Sequence, residues 1–160
     1  MRSATVGLVV LMLATAEGAA QPVTAAFSGT WVMDRTRSEA AVQEQPVGPV
    51  TVTISQTGSA LRLETTRDGK TEVTTYPIGP NPSLAAEVTG ERRAFWDGTT
   101  LVNEGSKDIQ GKTIAFREAR TASADGAEMI VETTLKLEHG YEMKGAQTVV
   151  TGKNVYVRRR

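Results

Sequence analysis

The stretch PVTVTISQTGSALRLETTRDGKTEVTTY, residues 49–76, alternates apolar and polar side chains with a period of two. In its first run Val50, Val52 and Ile54 share one face, and the residues between them are Thr and Ser. A β-strand with one buried and one solvated face has this period, whereas an amphipathic helix repeats every 3.6 residues. The stretch therefore predicts consecutive β-strands joined by short turns.

The turns are marked by the dipeptide Asp-Gly. It occurs at Asp68-Gly69, Asp97-Gly98 and Asp125-Gly126, each time between β-prone residues. Both positions tolerate positive φ, which suits a tight hairpin turn. Extending the same pattern along the chain predicts strands at residues 28–35, 49–56, 60–67, 70–77, 91–97, 99–106, 112–121, 127–138 and 146–158.

Sequential strands with short turns and no long crossover predict an all-β fold. We expect a single antiparallel up-and-down β-barrel of about 8–10 strands, because closure removes the exposed edges that a long meander leaves. A β-sandwich is the alternative architecture. Two segments do not fit the pattern: residues 37–48 are compatible with one short helical turn, and residues 78–83 (IGPNPS) predict a Pro/Gly loop.

The first residues predict a signal peptide. Arg2 supplies a positive charge, the apolar run VGLVVLMLA follows at residues 6–14, and small residues lie at three candidate cleavage points, Ala16, Ala20 and Ala25. The apolar run is shorter than the ~20 residues of a membrane-spanning helix. We therefore expect a signal peptide at residues 1–20, one barrel domain at residues 26–160, and a bacterial protein exported to the periplasm or the medium.

Composition excludes several kinds of site. The chain has no cysteine, so it has neither disulfides nor thiolate ligands, and it has one histidine, His139, which cannot build a multi-histidine metal site. The formal net charge is zero, which implies no nucleic-acid partner. The sequence implies no cofactor and no metal. His139 lies in Glu138-His139-Gly140-Tyr141, which reads as a turn rather than as a haem ligand.

Two terminal motifs resemble the calycin superfamily of lipocalin-like barrels. They are Gly29-Thr30-Trp31 in the first strand and Val155-Tyr156-Val157-Arg158 in the last. The resemblance implies that Gly29 and Trp31 form a structural plug at the closed end, on which Arg158 stacks in a cation–π contact worth ~1 kcal/mol. Together with Trp96-Asp97-Gly98 and Ser123-Ala124-Asp125-Gly126, these motifs also resemble small exported bacterial proteins of uncharacterised function.

The candidate ligand-binding residues are those that alternation turns into the barrel. If Ile114 and Phe116 face inward, Glu118 and Arg120 do so as well. These two charges would then form a polar floor or rim for a ligand; the alternative is that a bulge or the strand end places them in solvent. On the eighth strand Met129, Val131 and Leu135 share one face, which is either filled core or pocket wall. Tyr76 and Tyr141, near strand ends, are expected at the rim.

No catalytic constellation is apparent in the sequence. A Gly-x-Ser-x-Gly elbow is absent, and no Ser, His and acid occur in a recognisable arrangement. The leading hypothesis is therefore an exported, non-enzymatic barrel that binds a small apolar or amphipathic ligand in its interior. An accessory protein of the envelope, with a filled barrel that contacts a protein partner, is the alternative. An enzyme that uses the barrel mouth is the most remote, and converging carboxylates or tyrosines with perturbed pKa values would favour it.

Overall fold

The computed structural model describes residues 27–41, 48–82, 88–109, 111–136 and 149–160. These residues form nine strands: β1 Gly29–Glu39, β2 Val50–Gln56, β3 Ala60–Arg67, β4 Lys70–Gly79, β5 Arg93–Asp97, β6 Thr100–Ile109, β7 Lys112–Ala122, β8 Glu128–Lys136 and β9 Val149–Arg158. Each strand pairs with the next, and β9 pairs with β1, so the sheet is a closed barrel. The predicted all-β barrel is confirmed.

One pair of neighbouring strands departs from the expected antiparallel arrangement. β4 runs parallel to β5 through Ile78–Ala94 and Gly79–Phe95, while every other neighbouring pair is antiparallel. A closed ring with an odd number of strands cannot alternate in direction throughout, so one parallel pair is unavoidable. Parallel neighbours need a crossover connection of a dozen or so residues. Residues 80–92 provide it, and the expectation of no long crossover was wrong.

Alternation along the strands separates a core face from an outer face. At one end of the barrel the interior is filled by large apolar side chains, among them Phe27, Trp31, Leu61 and Leu101, each at most 1% exposed. Their burial stabilises the fold by roughly 1.5–3 kcal/mol for each large side chain. Because this end is filled, any internal space lies at the opposite end of the barrel.

Trp31 and Arg158 close the filled end. They are opposite each other in the β1–β9 ladder, and the Arg158 guanidinium carbon lies 4.2 Å from the centre of the Trp31 ring. Arg158 also donates hydrogen bonds to the carbonyls of Gly126 and Ser28, each 2.7 Å long. Gly29 has φ +138°, and a Cβ there would lie 2.6 Å from Arg158 Nη1. Glycine is therefore required at position 29 both for its backbone angle and for the close approach of Arg158.

On the outer face of the barrel, a buried carboxylate of β6 links the short strand β5 to β6 and β7. Glu104 of β6 is fully buried and accepts bonds from Arg93 Nε at 2.8 Å and from Arg117 Nε at 2.5 Å. Phe95 and Val102 are opposite each other on the same outer face, 2% and 5% exposed. Since a buried charge is tolerated only when it is paired, the two arginines are what allow Glu104 to lie here.

The far end of β1 differs from the prediction. β1 continues to Glu39 through an irregularity in its pairing with β9, so residues 37–39 are strand and not a helical turn. The Ser38 hydroxyl holds this irregularity, since it donates to the carbonyl of Asp34 and accepts from the amide of Val155. Past this irregularity the chain after β1 passes close to Gly152 of β9. A Cβ added at Gly152 would lie 2.5 Å from the amide nitrogen of Ala41. Two backbones therefore approach each other closely at Gly152.

Several predictions fall outside the described residues. These are the signal peptide at residues 1–20 with its three candidate cleavage points, the remainder of the 37–48 segment at residues 42–47, the end of the Pro/Gly loop at Ser83, and His139 with its neighbour Tyr141.

The plug predicts a large loss of stability on truncation of Trp31. Trp31→Ala removes a fully buried ring, its contact with Arg158 and its 2.8 Å bond to the carbonyl of Phe27, so the free energy of unfolding should fall by roughly 3 kcal/mol or more. Urea denaturation followed by circular dichroism measures the change. A loss below about 1 kcal/mol would contradict the burial of Trp31.

Candidate functional site

A cavity of about 720 Å³ occupies the barrel interior away from the filled end. Its volume lies within the range of about 300–1,000 Å³ that is usual for small-molecule pockets. All six residues predicted as ligand-binding line it: Phe116, Glu118, Arg120, Met129, Val131 and Leu135. Other lining residues were not predicted as ligand-binding from the sequence; they include Met33, Val52, Leu63, Tyr76, Asn154 and Tyr156. The barrel therefore encloses a space, and its wall combines apolar side chains with a few polar ones.

Neighbouring strands β7 and β8 supply part of the apolar wall. Phe116 of β7 is directly opposite Leu135 of β8, and Val131 lies further along the same inward face of β8. Each is at most 6% exposed. Strict alternation explains their placement, because every second residue of an antiparallel strand faces the same side.

The polar group of the site is a cluster of Asn103, Glu118 and Arg120. Arg120 Nη2 donates to Glu118 Oε2 at 2.6 Å, and Arg120 Nη1 donates to the amide oxygen of Asn103. The Asn103 amide nitrogen lies 3.4 Å from Glu118 Oε2, which closes the triangle. The Arg120 side chain is 5% exposed and that of Glu118 is 22% exposed. The structure thus places both charges in the interior, and no bulge in β7 turns them to solvent.

Pairing across β6 and β7 explains the cluster. Asn103 of β6 is directly opposite Glu118, and Leu101 is directly opposite Arg120. Side chains of directly opposite residues lie on the same face of a sheet. Asn103 was missed from the sequence, although the inward placement of Leu101 two residues earlier is the signal that would have found it.

Charge and burial set the protonation of Glu118. Burial raises the pKa of a carboxyl, but the positive charges of Arg120 and Lys107 and the hydrogen bonds from Arg120 and Asn103 outweigh it and hold the pKa of Glu118 below its usual value. Glu118 is therefore a carboxylate at neutral pH. It forms with Arg120 an ion pair whose charges balance.

Two tyrosines face the same cluster. Tyr76 is 5% exposed and Tyr156 is 7% exposed, and both line the cavity, so Tyr76 is an interior residue and not the rim residue expected from the sequence. Burial, and then the negative charge of Glu118, raises the pKa of each hydroxyl to about 12. Both tyrosines are therefore uncharged hydroxyl groups at neutral pH.

The outer part of the cavity carries charges of both signs. The basic side chains are Arg67, Lys70, Arg92 and Lys107, and the acidic ones are Asp68, Glu72 and Asp108. We call this outer region the mouth. The Lys107 ammonium lies 5.2 Å from the centre of the Phe116 ring, at the boundary between the mouth and the apolar wall.

One flank of the mouth lies between β4 and β6. Because β5 is only five residues long, residues 105–109 of β6 have no ladder partner on the β4 side among the described residues. Residues from both strands, including Thr71 and Thr74 of β4 and Ser106 of β6, line the cavity here. The cavity therefore reaches the flank as well as the end of the barrel.

Two tyrosines with perturbed pKa values do converge in the cavity, which is the observation expected to favour an enzyme, but the direction of the shifts favours binding over proton transfer. A general acid or base works best when its pKa is near the working pH. Here the pKa values of Glu118 and of the two tyrosines move away from neutrality, so the cluster presents one fixed acceptor and two fixed hydroxyl groups. Across the described ranges, no group of three or more His, Asp or Glu side chains could hold a metal ion, and no helix is long and apolar enough to cross a membrane.

Comparison with known proteins adds no functional assignment. No protein-family model matches the sequence, and no curated protein matches it. Among solved structures the chain is similar to a single-substitution mutant of the fluorescent protein UnaG, with TM-score 0.49 and 15% identity over 84% of this chain and 97% of that one. Wild-type UnaG gives TM-score 0.48 and 15% identity over 83% and 97%.

A third solved structure is a secretary abundant heat soluble (SAHS) protein from Ramazzottius varieornatus. Its TM-score is 0.42, with 11% identity over 84% of this chain and 96% of that one. Similarity at this level does not bear on what the chain binds. The resemblance to the calycin superfamily, and membership of any particular family, stay predictions.

The raised tyrosine pKa values predict the alkaline behaviour of the protein. The folded state favours the neutral hydroxyls of Tyr76 and Tyr156, so their contribution to stability is complete below pH 10 and is lost as the pH rises towards about 12. A spectrophotometric titration of tyrosinate should show two tyrosines that ionise near pH 12 in the native protein and near pH 10 in urea. Tyr76→Phe should remove one of the late ionisations. Ionisation of all tyrosines near pH 10 in the native protein would contradict their burial.

Proposed function

We propose that this chain is an exported, non-enzymatic barrel that binds a small apolar or amphipathic molecule in its interior. The observation that carries the proposal is the cavity of about 720 Å³ with an ion pair at its inner end. An apolar wall contributes affinity through burial, and a few fixed polar groups orient the ligand. The apolar run at residues 6–14 supports the exported part of the proposal.

The cavity also separates this proposal from the alternative of a filled barrel that contacts a protein partner. Exposed large apolar side chains among the described residues are Val32, Val73, Val149 and Val157. Val32 and Val157 are opposite each other in the β1–β9 ladder and form only a small outer patch. A protein interface needs a larger continuous apolar surface. The interior is therefore the better-supported site.

Filling the cavity should abolish binding of an apolar dye. The probe is N-phenyl-1-naphthylamine, whose fluorescence rises in apolar surroundings. Val131→Phe places a larger side chain inside the cavity, so the dye affinity should fall roughly tenfold or more. Overpacking can also lower the free energy of unfolding by about 1–3 kcal/mol. Val73→Phe is the matched control, because Val73 is 50% exposed on the outer face and its substitution should leave the affinity unchanged.

Two results would contradict internal binding. One is a wild-type protein that does not raise the fluorescence of the dye; the other is equal binding by the Val131→Phe and Val73→Phe variants. Thermal unfolding of each variant checks that the barrel is intact. If Val131→Phe does not fold, Leu135→Phe tests the same wall from a neighbouring position on β8.

A further inference from the structure

The ion pair at the inner end of the cavity bears on the kind of ligand, and this step rests on the proposed function. Arg120 uses Nη1 on Asn103 and Nη2 on Glu118, and its side chain is 5% exposed. Arg120 Nε is buried and makes no hydrogen bond within the described residues. Two of the five N–H donors are therefore used, and because the side chain is almost fully covered, little of the guanidinium is open to a ligand.

Glu118 is the more accessible partner of the pair. Its side chain is 22% exposed, more than four times the exposed fraction of Arg120. Both hydrogen bonds that the described residues give to it, from Arg120 and from Asn103, end on Oε2. The second carboxylate oxygen, Oε1, is thus the acceptor that the cluster leaves for a molecule in the cavity.

Because the charges of Glu118 and Arg120 balance, the cluster has no net charge that would attract a charged ligand group of either sign. A ligand carboxylate would meet the exposed carboxylate of Glu118 and would have to lose its hydration, and Arg120 is already paired. A ligand ammonium would meet Lys107, whose ammonium lies 5.2 Å from the Phe116 ring, as well as Arg120. The hydroxyl groups of Tyr76 and Tyr156 also face the cluster and carry no charge that would balance an ion.

We infer that the cavity selects a molecule with an apolar body and an uncharged hydrogen-bond donor, a hydroxyl or a primary or secondary amide, that donates to Glu118. A hydrogen bond to a carboxylate is roughly twice as strong as one between neutral groups. The donor end lies at the inner cluster, where Val131 is directly opposite Arg120, and the apolar body lies along Phe116 and Leu135 towards the mouth.

The test compares probes with one alkyl chain and different polar ends. Dodecanol, dodecyl methyl ether, dodecanoate and dodecylammonium, each below its micelle concentration, compete with N-phenyl-1-naphthylamine for the wild-type protein. Dodecanol should displace the dye at a concentration roughly tenfold or more below those of the other probes, since the ether lacks the donor and the ions carry charge.

Glu118→Gln tests whether Glu118 is the cause of this preference. The variant keeps the shape but removes the charge that balances Arg120, so the affinity for dodecanoate relative to dodecanol should rise about tenfold or more. Glu132→Gln is the matched control, because Glu132 is exposed on the outer face of β8 and is not among the residues that line the cavity. It should leave the order of the probes unchanged.

The outcomes separate this inference from the proposed function. If the dye binds and dodecanoate, dodecylammonium or the ether competes as well as dodecanol, the inference is wrong and internal binding stands. An equal shift in Glu118→Gln and Glu132→Gln would also overturn it. If the dye does not bind at all, the proposed function itself fails. The ranking on the wild-type protein decides the question even if Glu118→Gln does not fold.

Discussion

Closure of the sheet depends on β1, which pairs with β2 on one side and with β9 on the other. Trp31 lies at the start of this strand, fully buried, with Arg158 of β9 stacked on its ring. The contact joins the first and last strands of the chain, so it forms only when the whole barrel is in register. Without it both strands would expose unpaired edges, which are sites of aggregation. This closure sets which face of each remaining strand points inward, and so it places the cavity.

The barrel interior has two parts, an apolar end that is filled and a region that contains buried charges. At the filled end large apolar side chains occupy the space completely, whereas further along β7 the alternation brings two charged side chains inward. A buried ion pair costs several kcal/mol in desolvation unless hydrogen bonds compensate for it. Asn103 provides those bonds to both partners, and Tyr76 and Tyr156 provide a polar surface beside them. The pair is therefore a polar boundary within an otherwise apolar barrel, and the cavity begins at that boundary.

Much of the fold could be predicted from the sequence because a period of two and Asp-Gly turns are local signals. The inward placement of Glu118 and Arg120 follows from the same alternation. The parallel pair β4–β5 could not be predicted in this way, since it depends on a long crossover and on the parity of the ring. The same holds for Tyr76, whose interior position depends on which end of the barrel is filled.

The barrel has an internal cavity with room for a small molecule. Native mass spectrometry of the protein, isolated without detergent and compared with the same sample after denaturation, tests this claim most directly. We predict an added mass that is reproducible, disappears on denaturation and is lost from the Val131→Phe variant. A bare protein mass that stays bare after incubation with dodecanol, in a sample whose barrel is intact by circular dichroism, would contradict it.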